Sequence, residues 1–480
     1  MEAVLVCYAF LLLLVEAFNS RMPRRYFGWA AVVGTTVVFF MTFFVDSSKM
    51  NPEAGYYGFY AADTLAILFK RFILLVSVCV LIMALEFAPV LVRYLPVEKP
   101  DAGSGEMYSL VLFACAGMMW MASAQNFVMI FVSVELVTIT FYVMVAMMRG
   151  NRASLEAGIK FLILGAIATS LNVYGIAWIF GTLGTTELPE IGAILQSIDS
   201  SLFPSLLFGF GLIFAGISFK VAAFPFQFWV PDVYQGAPTP VTAFLSVGSK
   251  ASAFVVLMRV LESMLSNSEL SSKILFMLSL VAGVTILMGN LSAIPQTNFK
   301  RLLAYSSIAH AGYLLMGAAS IVSGNSGPAI AYYLMAYLIS NMLAFGVLLV
   351  VGKSTGSDEL VHFNGLGKKS PWLATALTLA VLSLAGLPFT VGFFGKFFIF
   401  SSALQAQQFI LVGIGILGIG CGFYYYLKVI RAMFWLPASK EQSISSPIEI
   451  SKPYAVMLIL LSISLIIFGV YPEPIFNLIP

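Results

Sequence analysis

The sequence predicts an all-α polytopic membrane protein with about fourteen transmembrane helices. Three observations carry that prediction. Of the 480 residues 60% are hydrophobic and only 10% charged, with mean hydropathy +0.96, whereas a soluble domain is nearer half apolar and a quarter charged. Apolar runs of about 20 residues, the length that crosses a bilayer, recur along the whole chain. The basic residues are distributed unevenly between alternate loops, as the orientation rule for membrane helices requires.

The runs lie near 2–18, 27–45, 63–90, 106–122, 126–148, 156–181, 204–234, 240–262, 273–292, 299–321, 328–351, 371–404, 406–432 and 453–472. The first resembles a signal peptide in length. It has no basic n-region, and Arg21, Arg24 and Arg25 follow it, so it reads as a first span. The seventh and twelfth are too long for one straight helix, and each carries a proline in its middle, Pro225 and Pro388. The sixth loop, 182–203, holds Glu187, Glu190 and Asp199 and is expected to form a short surface helix. The odd-numbered loops hold 15 of the 25 lysines and arginines: Arg21, Arg24, Arg25, Arg93, Lys99, Arg149, Arg152, Lys300, Arg301, Lys353, Lys368, Lys369, Arg431, Lys440 and Lys452. The even loops hold only Lys49 and Lys273. One missed helix would scramble this pattern. It puts the odd loops in the cytoplasm and both termini outside, and a multi-pass protein of a bacterial plasma (inner) membrane is expected.

Ala222-Ala223-Phe224-Pro225-Phe226 in the seventh span resembles Ala385-Gly386-Leu387-Pro388-Phe389 in the twelfth, 163 residues and five spans later. An odd number of spans reverses orientation, so the two units would be inverted repeats with discontinuous helices 7 and 12, a transporter architecture with ion sites at the breaks. The expected organisation is flanking helices 1–3 over residues 1–105, a first repeat of helices 4–8 over 106–265, a second of helices 9–13 over 266–434, and helix 14 over 435–480. Each proline frees a backbone carbonyl four residues earlier, at Val221 and Leu384. In lipid such groups need a partner from water or a side chain.

Four charged residues, Glu135, Lys220, Lys250 and Lys396, lie well inside apolar spans. A charge at a helix centre costs roughly 2.5–3.5 kcal/mol on the insertion scale and marks an ion or proton path by default. Glu135 reads as a proton-binding carboxylate or the counter-ion of a buried lysine, against a static ion pair locking two helices. Lys220 and Lys250 read as proton carriers, against snorkelling to the interface. Lys396, in the outer half of its span, reads as an exit group, with snorkelling a stronger rival. His310, Ser306 and Tyr313 fall on one helical face, and histidine can relay protons; a structural histidine is the alternative. Tyr333, Tyr337 and Asn341 make a second polar stripe, either a water-lined path or interhelical hydrogen bonding. Lys160 pairs with Glu156 at i, i+4, as a structural pair or as part of a route for proton uptake. His362, in a polar loop with Asp358 and Glu359, reads as solvated.

Cys7, Cys79, Cys115 and Cys421 are scattered, with no Cys-x-x-Cys pair, so no iron–sulfur, zinc or disulfide framework is expected. Two histidines, His310 and His362, are too few and too far apart for haem ligation. There is no Gly-rich nucleotide loop and no triad spacing. The chain is expected to bind no cofactor or metal, and energy for pumping would have to come from partners or an ion gradient.

Lys220-Val-Ala-Ala-Phe-Pro-Phe-Gln-Phe-Trp-Val-Pro-Asp-Val-Tyr-Gln-Gly-Ala-Pro238 closely resembles the seventh-span signature of the subunit N family of respiratory NADH–quinone oxidoreductases, the complex I enzymes. The tenth-span motif from Lys300 to Tyr313 and the twelfth-span motif from Gly386 to Lys396 are similar to that family's. The resemblance covers nearly the whole chain. The first two motifs recur more loosely in sister antiporter-like subunits and in Mrp-type cation/proton antiporters; the form from Pro231 to Pro238 points to subunit N. The resemblance implies a proton-translocating subunit of an NADH–quinone oxidoreductase, with a subunit of a Mrp-type sodium/proton antiporter or membrane-bound hydrogenase as the alternative and a structural membrane anchor as a third reading. It implies that Glu135 pairs with Lys220, that Lys250 connects, that His310 lies on the polar axis and that Lys396 stands near the outward exit. NADH, FMN, iron–sulfur clusters and quinone would belong to partner subunits, among them sister antiporter-like chains, and no nucleic acid is involved. One departure stands out: Gln227 occupies a position where many members carry histidine, and glutamine cannot titrate.

Overall fold

The computed structural model describes residues 1–19, 22–45, 58–95, 104–321, 324, 326–437 and 449–478. Arg21, Lys49, Lys99 and Lys440 of the loop pattern lie outside the described residues. The chain forms α1 (Glu2–Phe18), α2 (Arg24–Met41), α3 (Thr64–Val92), α4 (Ser104–Ser123), α5 (Phe127–Val145), α6 (Arg152–Leu183), α7 (Leu188–Leu195), α8 (Phe203–Val221), α9 (Trp229–Gly236), α10 (Thr239–Phe244), α11 (Lys250–Met264), α12 (Ser268–Ala293), α13 (Phe299–Ala319), α14 (Ser326–Thr355), α15 (Leu366–Lys369), α16 (Pro371–Ala385), α17 (Val391–Gln405), α18 (Phe409–Phe434), α19 (Lys452–Val470) and α20 (Glu473–Phe476). Twelve helical segments among the described residues are long and apolar enough to cross a membrane. The remaining two expected spans are α1, of 17 residues, and the broken pair α16–α17. The all-α, fourteen-span expectation therefore holds.

Polar caps set several helix starts. Asn126, Asn151, Asn267, Asn298 and Asp63 each accept a backbone N–H in the first turn of α5, α6, α12, α13 and α3. The connections sort onto two opposite faces. On the odd-loop face Gly150 N–H donates to Tyr94 O, Lys353 meets Glu86, Lys300 meets Asp358 and Arg301 meets Asp232. On the even-loop face Gln125 N–H donates to Phe59 O, Leu188 N–H to Gln125 O, and Arg259 meets Asp63. Each set joins only loops of one parity, as regular up-and-down threading requires. The sixth loop carries the expected short helix as α7, with Leu188, Ile191 and Leu195 buried against the bundle.

Small residues let the helices approach. A methyl group at Gly289 of α12 would sit 2.4 Å from the Ala309 nitrogen of α13, and one at Gly312 would sit 2.7 Å from the Ile286 nitrogen. This tight α12–α13 seam holds His310 and its neighbours in register. Gly289→Ala is expected to destabilise the chain by about 1–3 kcal/mol through overpacking, read as a lower thermal midpoint of the purified complex.

Candidate functional site: a buried polar line between two broken helices

The seventh span breaks as read from Pro225. α8 ends at Val221, Ala222 turns left-handed at φ 67°, and the helix resumes only at Trp229. The twelfth breaks in the same way. α16 ends at Ala385, Gly386 takes φ 89°, and α17 starts at Val391. The Phe224 N–H donates to Thr285 Oγ1 of α12 at 3.0 Å, and the Gly392 N–H donates to Ser383 Oγ at 3.1 Å. Backbone groups loosed by each break are thus taken up by neighbouring hydroxyls.

Lys396 does not snorkel. Its side chain is buried and turns back toward the break, where Nζ donates to the carbonyls of Leu384 at 2.9 Å and Ala385 at 2.7 Å. Leu384 is the carbonyl that Pro388 frees, so the ammonium and the broken helix satisfy each other. Glycine at 386 is required twice. It tolerates the left-handed turn, and an added methyl would lie 2.8 Å from Lys396 Cδ.

Lys250 is equally buried and donates to the carbonyl and hydroxyl of Ser307 on α13. It follows directly on a π-helical turn, Leu245–Ser249, which interrupts the eighth span between α10 and α11. Such turns recur at functional sites; no periodicity in the sequence announced this one. Tyr234 shares the Ser307 hydroxyl at 3.2 Å, and Ser246 bonds the Tyr337 hydroxyl at 3.0 Å. Lys250 Nζ lies 5.5 Å from the centre of the Tyr337 ring.

His310 is buried between the two lysines. Its Nδ1 is 2.6 Å from the Tyr333 hydroxyl and its Nε2 3.3 Å from that of Tyr426, which also bonds Ser306. Tyr337 packs its ring 5.0 Å from the imidazole. Tyr313 lies under Lys396, with Nζ 5.3 Å from its ring centre. A cavity with room for about one water molecule runs from His310 past Tyr337, Ser340 and Ser383 to Leu384. Asn341, on the second predicted stripe, has a buried Nδ2 with no partner.

Glu135 and Lys220 stand at the other end, each neither fully buried nor fully exposed. Among the described residues no ion pair joins them. Glu135 accepts from the Thr169 hydroxyl at 2.7 Å, while Lys220 donates to the hydroxyl of Thr138, one turn along α5 from Glu135. Each of the expected partners thus engages a threonine. Lys160 meets Glu156 at 2.8 Å, and it also reaches Asp232 of α9 at 2.7 Å, where Arg301 arrives at 2.9 Å. This makes it part of a clasp on the short half-helix rather than a local pair.

His362 corrects the expectation of a solvated loop histidine. It is half-buried, with Nδ1 enclosed and without a partner, because Leu360 and Phe363 of its 3₁₀ turn pack into the core. Gln227, at the first break, is buried with its Oε1 unpartnered. Thr138, Thr169, Ser307 and Tyr426 are contacts that the sequence reading missed. Thr138 was findable as the hydroxyl three residues after Glu135; the other three meet their partners only through tertiary packing. No cluster of metal-ligating side chains occurs among the described residues.

Two proline-broken helices flanking a line of buried lysines define an antiporter-like membrane subunit. Residues 124–422 match the NADH:quinone oxidoreductase/Mrp antiporter transmembrane family. The chain is 38% identical to the NADH-quinone oxidoreductase subunit N of Heliobacterium modesticaldum, over 97% of this chain and 94% of that one. It is 43% identical to that of Moorella thermoacetica, over 79% and 78%. It also superposes on a chain of respiratory complex I from Thermus thermophilus with a TM-score of 0.80 at 28% identity, covering 99% and 98%. The chain belongs to the NADH-quinone oxidoreductase subunit N family.

Gly386→Ala forces a left-handed alanine, costing roughly 1–2 kcal/mol, and pushes on Lys396; a drop in thermal midpoint of the purified complex is expected, whereas Ala222→Gly at the first break relieves the same strain and raises it.

Proposed function

We propose that this chain is a proton-translocating membrane subunit of an NADH–quinone oxidoreductase, in which quinone reduction elsewhere in the complex drives protons along Glu135, Lys220, Lys250, His310 and Lys396. The observation that carries the reading is the continuity of the second half of the line. Lys250 bonds Ser307, His310 bonds Tyr333 with the Tyr337 ring beside it, and the one-water cavity lined by His310, Tyr333 and Tyr337 reaches Leu384, whose carbonyl accepts from Lys396. Hydroxyls and an imidazole can each accept and donate a proton, so such a string can carry one between two ammonium groups.

The roles divide by environment. Lys220, which donates to Thr138, and Glu135 on the same helix as Thr138 form a pair that can close or open as the charge beside them changes. Lys250 and Lys396 load and release protons, and His310 with Tyr337 and Tyr333 relays between them. Pro225 and Pro388 supply the helix breaks, and Lys160 with Asp232 holds the half-helix α9 near the odd-loop face. The chain supplies no redox chemistry, so NADH, FMN, iron–sulfur clusters and quinone belong to partner subunits, and sister antiporter-like subunits flank this one in the membrane. The odd loops face the bacterial cytoplasm and both termini the periplasmic side. Helices 4–8 and 9–13 act as the two inverted units. The subunit N relatives favour this reading over a Mrp-type antiporter, which shares the family's description; an antiporter would exchange sodium for protons without quinone reduction.

Lys220→Ala tests the proposal in vesicles carrying the complex, after a native gel has established assembly. Proton pumping is expected to fall by about 100-fold or more. Normal pumping in the assembled variant would remove Lys220 from the path and leave the charge line a structural lock. Failure to assemble would favour the anchor reading. Pumping that requires sodium would favour the antiporter.

A further inference from the structure

A cavity of about 570 Å³ opens at the odd-loop face, lined by none of the residues proposed for the proton line. The start of α2, the last turns of α3, the end of α14 and the segment leading into α19 enclose it. We propose that it binds the headgroup of a zwitterionic phospholipid of the phosphoethanolamine type.

Charge bookkeeping within the cavity points to this ligand. Its five charged lining groups divide into the engaged and the free. Glu86 is held by Lys353 at 2.5 Å and by the Ser451 N–H at 3.4 Å. Arg24 lies 3.5 Å from the Glu16 carboxylate and donates to the Glu16 carbonyl at 3.3 Å. Two further lining groups, Arg25 and Glu449, are exposed and, among the described residues, have neither an ion pair nor a side-chain hydrogen bond. One unengaged cation and one unengaged anion on the same concave wall complement a phosphate and an ammonium. A purely anionic headgroup would satisfy Arg25 and set a like charge against Glu449.

The remaining lining suits a lipid. Leu85, Pro89, Val92 and Ile450 give the cavity an apolar side. Close in sequence to Arg24 and Arg25, Phe18, Met22 and Tyr26 are exposed where the chain passes from α1 to α2, which is apolar surface suited to acyl chains. Basic pockets between helices at a membrane surface bind anionic headgroups; the unengaged Glu449 carboxylate is what turns this pocket toward a zwitterionic one, and the Arg–phosphate contact is among the stronger charge-assisted hydrogen bonds.

The test uses the assembled complex. It is stripped of lipid in detergent, reloaded from vesicles of phosphatidylethanolamine or of phosphatidylglycerol, and washed, and the retained phospholipid is counted by native mass spectrometry. Wild type is expected to retain phosphatidylethanolamine in preference to phosphatidylglycerol. Arg25→Ala should weaken that retention roughly tenfold, Arg25→Lys should keep most of it, and Glu449→Gln should narrow the difference between the two lipids. Inorganic phosphate should not displace the lipid. Equal retention by wild type and Arg25→Ala would overturn the proposal. So would phosphatidylglycerol held as well as phosphatidylethanolamine in wild type, a comparison that needs no variant and therefore survives a failure of Arg25→Ala to assemble. A density map of the complex with protein side chains filling the cavity would overturn it as well.

Discussion

The contact between the Lys396 ammonium and the carbonyls of Leu384 and Ala385 states the constraint on which the rest of the structure depends. Inside hydrocarbon, water is not there to satisfy a charge or a broken backbone, so each must be satisfied by protein. A proline-broken helix has carbonyls with nothing to accept, and a buried lysine has protons with nowhere to go. Placed together, two unfavourable features become one favourable one. Lys250 follows the same rule with the Ser307 carbonyl. In both cases the partner is neutral. A carboxylate would hold either ammonium more tightly, and a tightly held proton is of little use for transfer.

α3 ties this arrangement together from outside the broken helices. At its even-loop end Asp63 accepts two hydrogen bonds from Arg259 of α11, whose Nε also caps the Ala122 carbonyl of α4. The Asp63 carboxyl is pulled below its ordinary range, since the Arg259 contacts outweigh its partial burial. At its odd-loop end Glu86 holds Lys353 of α14. One helix is therefore fastened at opposite ends to the segment that carries Lys250 and to the helix that carries Tyr333 and Tyr337. Lys70 of the same helix is buried against Glu2 at 2.8 Å, which fixes α1 as well. Ion pairs of this kind cost desolvation and are weak sources of stability; their value here is registry between helices.

Span number, loop parity and both helix breaks were legible in the sequence because each leaves a local trace: apolar length, basic residues on alternate loops, a proline in an overlong run. The partners of the buried charges were not. Glu135 and Lys220 suggest direct pairing, whereas Lys220 donates to Thr138, one turn further along the same helix, and Glu135 accepts from Thr169. The π-helical turn before Lys250 was not read from the sequence; the structure packs it against α3 and α14. His362 was misjudged because composition reports the polarity of a loop but not whether its turn is pressed into the core.

In the proton path proposed above, the neutral partners would also set the energy scale of switching. Moving one charge across 100 mV costs about 2.3 kcal/mol. A hydrogen bond to a charged group contributes roughly 1.5–3 kcal/mol. Exchanging one partner of one ammonium, as when Lys220 trades the Thr138 hydroxyl for the nearby Glu135 carboxylate, is therefore comparable to the work a single proton must overcome. A line built from strong buried ion pairs would need several times that energy to move. A line built from hydroxyls, carbonyls and an imidazole stays within reach of a modest perturbation at its partly exposed end, which is where Glu135 and Lys220 lie.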